Sequence, residues 1–147
     1  MNSDEKLIAI AVRDIIAKQV SIPNTVQLAL ATDAEAIRLP NLVILVEFSM
    51  EEESTDLPKR YKMEITFQMA NADTPNAEVV DEIFRGVSET LCPLQSGPFT
   101  YLPGSLTHNF DYFRIENESG SAFKRVDSTK ASFTSRSRFW WVFARLR

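Results

Sequence analysis

The chain has 147 residues, 44% of them hydrophobic and 24% charged, which suits one ordinary folded domain and excludes a disordered chain. One cysteine (Cys92) and one histidine (His108) exclude an intrachain disulfide and a Cys/His zinc site. The net charge of −4 conceals a split: residues 1–123 carry nine basic and nineteen acidic side chains, whereas residues 124–147 carry seven basic and only Asp127.

In chain order, the first segment reads as an amphipathic helix. Ser3 can cap it, Asp4 and Glu5 suit the positive end of its dipole, and Leu7, Ile8, Ala11, Val12, Ile15 and Ile16 recur at helical spacing. Lys18 falls in the last turn, and Ser21-Ile22-Pro23-Asn24 ends the helix because proline disfavours helical geometry at Ile22. Val26, Leu28 and Leu30 alternate like a short strand, while Thr32 to Arg38 is compatible with a helical turn opened by a Thr32/Glu35 pair. Leu42 to Met50 and Arg60 to Met69 are strands. In the second, Tyr61, Met63, Ile65, Phe67 and Met69 face one way and Lys62, Glu64, Thr66 and Gln68 the other. Between them, Glu51, Glu52, Glu53 and Asp56 make an acidic hairpin loop whose commonest meaning is a solvated tip.

The second helix is punctuated at both ends. Asp73 or Thr74 caps it, Pro75 suits its first position, Ala77, Val80, Phe84, Val87 and Leu91 form its apolar stripe, and Cys92-Pro93 stops it. Gly97-Pro98 and Pro103-Gly104 mark an exposed connection. Phe110 to Ile115 reads as a strand and Asn117 to Ser121 as a turn. Ala122 to Ser137 suits a long strand or a partly mobile arm, and Phe139 to Leu146 a final aromatic strand. The expected fold is α+β: residues 1–147 as a single domain, with a mainly antiparallel sheet of four to five strands and two helices packed on one face. The opposite face then carries large side chains, for which self-association is the economical cover.

Chemistry has few handles here. His108 lacks the context of a catalytic base, Cys92 sits where a helix C-terminus disfavours a thiolate, and four glycines form no phosphate loop. No catalytic, cofactor or metal residues are assigned, and an enzyme is the weakest reading. The start has no secretory signal and the longest apolar run is far too short for a membrane helix, so a soluble intracellular protein is expected. The basic end, with Arg136, Arg138, Phe139, Trp140, Trp141 and Phe143, allows two readings. It superficially suits nucleic acid, but a strand with large groups on both faces fits core on one side and a subunit interface on the other. The acidic remainder opposes approach to DNA.

The layout resembles the tail-terminator (tail-completion) proteins of long-tailed bacteriophages. The resemblance rests on the N-terminal helix, the Leu42–Met50 and Tyr61–Met69 strand pair, the Pro75–Leu91 helix ending at Cys92-Pro93, and the closing strand Phe139–Arg145. It covers nearly the whole chain through element order rather than through a signature motif. It implies a homo-oligomer, a hexameric ring capping the tail tube that stops tube polymerisation and meets the tail tube and head-completion proteins while DNA passes through its lumen. The place implied is the virion tail neck, assembled in the host cytoplasm, without cofactor or membrane. A tail-tube or head–tail connector subunit is the near alternative. Under the resemblance, Glu51, Glu52, Glu53 and Asp56 face the lumen or an adjacent ring, the Trp140/Trp141 strand makes heterologous subunit contacts, and Lys124–Arg138 docks on an acidic edge of a neighbour. The Ser/Thr-rich segment Ser128–Ser137 departs from that layout.

Overall fold

In the computed structural model, residues 3–32, 38–49, 58–70, 77–91, 110–120, 124–127 and 132–146 are described. Two helices and six strands follow one another as α1 (Ser3–Gln19), β1 (Gln27–Leu30), β2 (Asn41–Phe48), β3 (Lys59–Ala70), α2 (Ala77–Leu91), β4 (Phe110–Gly120), β5 (Lys124–Asp127) and β6 (Ser132–Leu146). The sheet order is β1-β2-β3-β6-β4, with β5 also on β6. Among the described residues, only the β1–β2 pair is parallel. The fold is therefore α+β and mainly antiparallel, as the element order implied, with β5 as an added short strand.

Period-two alternation divides the side chains of this sheet. Leu42, Ile44 and Val46 of β2, Tyr61, Met63, Ile65 and Phe67 of β3, and Trp140, Val142 and Ala144 of β6 are all buried. They join Ile8, Val12, Ile15 and Ile16 of α1 and Val80, Ile83, Phe84 and Val87 of α2 in one apolar cluster. Both helices thus cover the same sheet face, and each buried aliphatic or aromatic side chain contributes about 1.5–3 kcal/mol of apolar transfer.

Polar contacts fix where the helices sit. The Glu5 carboxylate at the start of α1 accepts the Phe48 backbone N–H at 3.1 Å. On α2, Asp81 pairs with Arg136 and Ser88 accepts from Arg138 at 3.2 Å, while both guanidiniums stand 5.8 Å from the Phe84 ring. The end of α1 comes close to α2: a Cβ built on Gly86 would lie 3.2 Å from Val20 Cγ1. Here a glycine permits close approach of two elements.

Two sequence expectations change. The turn expected over Asn117–Ser121 is strand as far as Gly120, because Asn117, Ser119 and Gly120 stay paired with Trp140, Phe139 and Arg138 across an irregularity in the ladder. Tertiary pairing overrides local turn preference. The final strand begins at Ser132 rather than Phe139, since β3 pairs with it from Phe133 to Ala144. The short strand expected at Val26–Leu30 forms as β1, held by Gln27 N–H to Pro40 O at 3.0 Å and by Arg38 N–H to Gln27 Oε1 at 2.7 Å. The helical turn expected over residues 32–38 falls largely outside the described residues, as do the acidic loop, Cys92 and His108.

Two outcomes follow from this packing. Gly86→Leu should destabilise the fold by about 1–3 kcal/mol through overpacking against Val20, measured by urea denaturation. Burial of Tyr61, with Asp4 and Glu5 nearby, pushes its phenol up to about 12 from 10.0. The unfolded chain releases this proton first as pH rises, so stability is full below pH 10.0 and falls as pH climbs toward about 12. Tyr61→Phe should flatten that part of the decline in alkaline unfolding followed by circular dichroism.

Candidate functional site: the open sheet face

The face of the sheet turned away from the helices is built by β6 and its neighbours. Alternation along β6 puts Phe139, Trp141, Phe143 and Arg145 on this side and Arg136, Arg138, Trp140, Val142 and Ala144 on the helix side. Antiparallel register then sets Lys62 opposite Trp141, Glu64 opposite Phe139 and Arg60 opposite Phe143. On the other flank, Arg114 lies opposite Phe143 and Glu116 opposite Trp141.

The aromatic stripe is capped by the chain's own cations. The Arg60 guanidinium lies 4.5 Å from the Trp141 ring centroid, the Lys62 ammonium 4.6 Å from Phe139 and the Arg114 guanidinium 4.5 Å from Phe143. Each such contact is worth about 0.5–1 kcal/mol at a partly exposed site, and the cation stems cover apolar ring surface. Phe139, Trp141 and Phe143 are consequently half-buried. Among the described residues, Leu39 is the large apolar side chain that stays exposed.

Beside Phe139 lies a small polar network. Glu64 Oε1 accepts from Thr66 Oγ1 at 3.1 Å and from Ser137 Oγ at 3.0 Å, and the two hydroxyls are 2.8 Å apart. The network satisfies a carboxylate that would otherwise be poorly solvated on a half-buried face. Arg114 pairs with Glu116 at 3.2 Å and Arg145 with Asp111 at 3.8 Å. Glu47 lies opposite Lys62 in the β2–β3 ladder. Arg60, Lys62, Arg114 and Arg145 are thus matched by Glu47, Glu64, Asp111 and Glu116, so signs alternate across the face and nearly cancel.

The six residues expected at a subunit interface separate into two groups. Phe139, Trp141 and Phe143 lie on the open face. Trp140 is fully buried in the core, and Arg136 and Arg138 turn toward α2, because period two sends neighbours on one strand to opposite faces. Arg60, Lys62 and Arg114 belong to the surface but were not singled out from the sequence. Their alternation within their strands was legible; the pairing that brings them onto the aromatic rings was not. The acidic group Glu51, Glu52, Glu53 and Asp56 lies outside the described residues.

Among the described residues, no three His, Cys, Asp or Glu side chains gather as metal ligands, and no helix is long and apolar enough to cross a membrane. A cleft of about 480 Å³ lies between the end of α1 and α2, lined by Val20, Ile22, Asn24, Glu82, Ile83 and Gly86.

The two tryptophans therefore predict different outcomes. Trp140→Ala should cost about 3–5 kcal/mol through the cavity it leaves. Trp141→Ala should cost less, about 1–2 kcal/mol, from its stacked guanidinium and the part of its ring that is buried. Thermal or urea unfolding of both variants measures the difference.

Comparison with protein-family models and with curated proteins returns no match, so the geometry of this face and the element order carry the functional argument.

Proposed function

We propose that the protein is a structural subunit of a phage tail neck, a terminator-like ring protein that caps the tail tube and meets the head-completion proteins. The observation that carries the reading is the open face of β3, β6 and β4, which centres on Phe139, Trp141 and Phe143 and is rimmed by balanced charges. Aromatic and arginine side chains at the centre of a surface, with polar groups around them, are the anatomy of protein–protein contact. The α+β layout with both helices on one face supports the resemblance drawn from the element order.

A nucleic-acid reading has one specific observation in its favour, the interleaving of cations and aromatic rings on an open sheet. Two others weigh against it. The ring faces are already stacked by Arg60, Lys62 and Arg114, which a base would have to displace. The acidic partners of the cations also remove the net positive charge that phosphate binding requires.

Negative-stain imaging of the purified protein, alone and mixed with polymerising tail-tube subunits, tests the proposal. Closed rings that stop tube growth are the expected result. Unrestricted tube growth in the presence of the folded protein, or salt-sensitive retention of single-stranded DNA without rings, would overturn it.

A further inference from the structure

We infer that the flank of α2 nearest β6 forms a binding site for a single phosphate group, built from Ser88, Arg136 and Arg138 with Arg85 at its rim. Positions 81, 85 and 88 stand at i, i+4 and i+7, so Asp81, Arg85 and Ser88 share one side of the helix. Arg136 and Arg138 meet that side from β6, on residues about 6.6 Å apart along the strand. Arg136 pairs with Asp81, and Arg138 donates to Ser88 Oγ at 3.2 Å. Both guanidiniums stand 5.8 Å from the Phe84 ring, so one aromatic side chain orients the pair.

Unbalanced charge is what points to an anion. Arg136 has Asp81, but Arg85 and Arg138 have no carboxylate partner among the described residues. Arg85 is exposed and loses little by this, whereas Arg138 is half-buried and meets only a neutral hydroxyl on α2. A guanidinium partly withdrawn from water without a counter-charge is costly, and a bound anion relieves that cost. The exposed carboxylates Glu82 and Glu89 project about 100° or more round the helix from Ser88, away from the two strand arginines.

The donor set selects phosphate. Ser88 Oγ accepts from Arg138, which leaves its own O–H to donate, and the guanidiniums offer donors alone. Forked N–H groups beside a hydroxyl suit a tetrahedral oxyanion. A phosphate monoester carries a charge of about −1.5 to −2 at pH 7, against the surplus that Arg85 and Arg138 leave once Asp81 has matched Arg136. On its β4 side Arg138 is paired with Gly120, which brings no side chain to that position. A DNA strand would instead need cations repeated along its track, whereas these arginines make one compact group.

The site lies on the helix side of the sheet, so it stands or falls independently of the ring reading. Nuclear magnetic resonance titration of the full chain with inorganic phosphate tests it, at about pH 8, where the dianion dominates, with sodium chloride holding the ionic strength constant. Saturable shifts at the Ser88 amide and the Arg138 Nε–H are expected. Arg138→Gln should raise the dissociation constant by roughly tenfold or more. Because Arg138 also holds α2, the exposed Arg85→Gln is the second variant; it should weaken binding several-fold with the circular dichroism spectrum retained. Arg145→Gln, on the opposite sheet face, should leave the affinity unchanged. Shifts that chloride reproduces, or affinity unchanged in folded Arg85→Gln and Arg138→Gln, overturn the site. A short DNA duplex that binds more tightly than phosphate, and is lost in the same variants, overturns the choice of a single phosphate group.

Discussion

The β3–β6 ladder is the constraint on which the rest of the structure depends. Residues Lys59–Ala70 run antiparallel to residues 133–144 without an irregularity, so each side chain on β3 has one assigned neighbour on β6. That register sends Met63 and Trp140 together into the core and sets Lys62 and Glu64 beside Trp141 and Phe139 on the other face. A shift by one residue would reverse both outcomes, placing Trp140 in water and the charges under the helices. Core and surface are therefore specified by the same set of backbone hydrogen bonds.

The helices consolidate that choice from one side. α1 is fastened at its start by Glu5 on Phe48 and at its end by the approach of Val20 to Gly86. α2 is fastened by Arg136 and Arg138, which rise from β6 to Asp81 and Ser88. Two arginines that look from the sequence like part of a basic surface instead hold a helix to the sheet. The face those arginines do not share is left uncovered by the helices.

The open face solves a problem that its composition creates. Three aromatic rings on an uncovered sheet would favour indiscriminate association. Arg60, Lys62 and Arg114 lie over them, each worth only about 0.5–1 kcal/mol, a light cover of charged groups. Such a surface suits a protein that must stay dispersed as a subunit and then assemble, which is the economy of the proposed tail-neck role.

Most of the element order was legible in the sequence, because it is local chemistry. Alternation in Tyr61–Met69, the helical stripes of α1 and α2, and the stop at Cys92-Pro93 depend on neighbours within a turn or a strand. The same locality explains the misreadings. Asn117–Gly120 looks like a turn until β6 pairs with it, and Ser132–Ser137 suits either a strand or an arm until β3 pairs with it. Alternation in Phe139-Trp140-Trp141-Val142-Phe143 determined that large groups would emerge on both faces of one strand. Only the tertiary structure decided which tryptophan is core and which cations stack on the rings, because those depend on register between strands far apart in the chain, and register is a property of pairs.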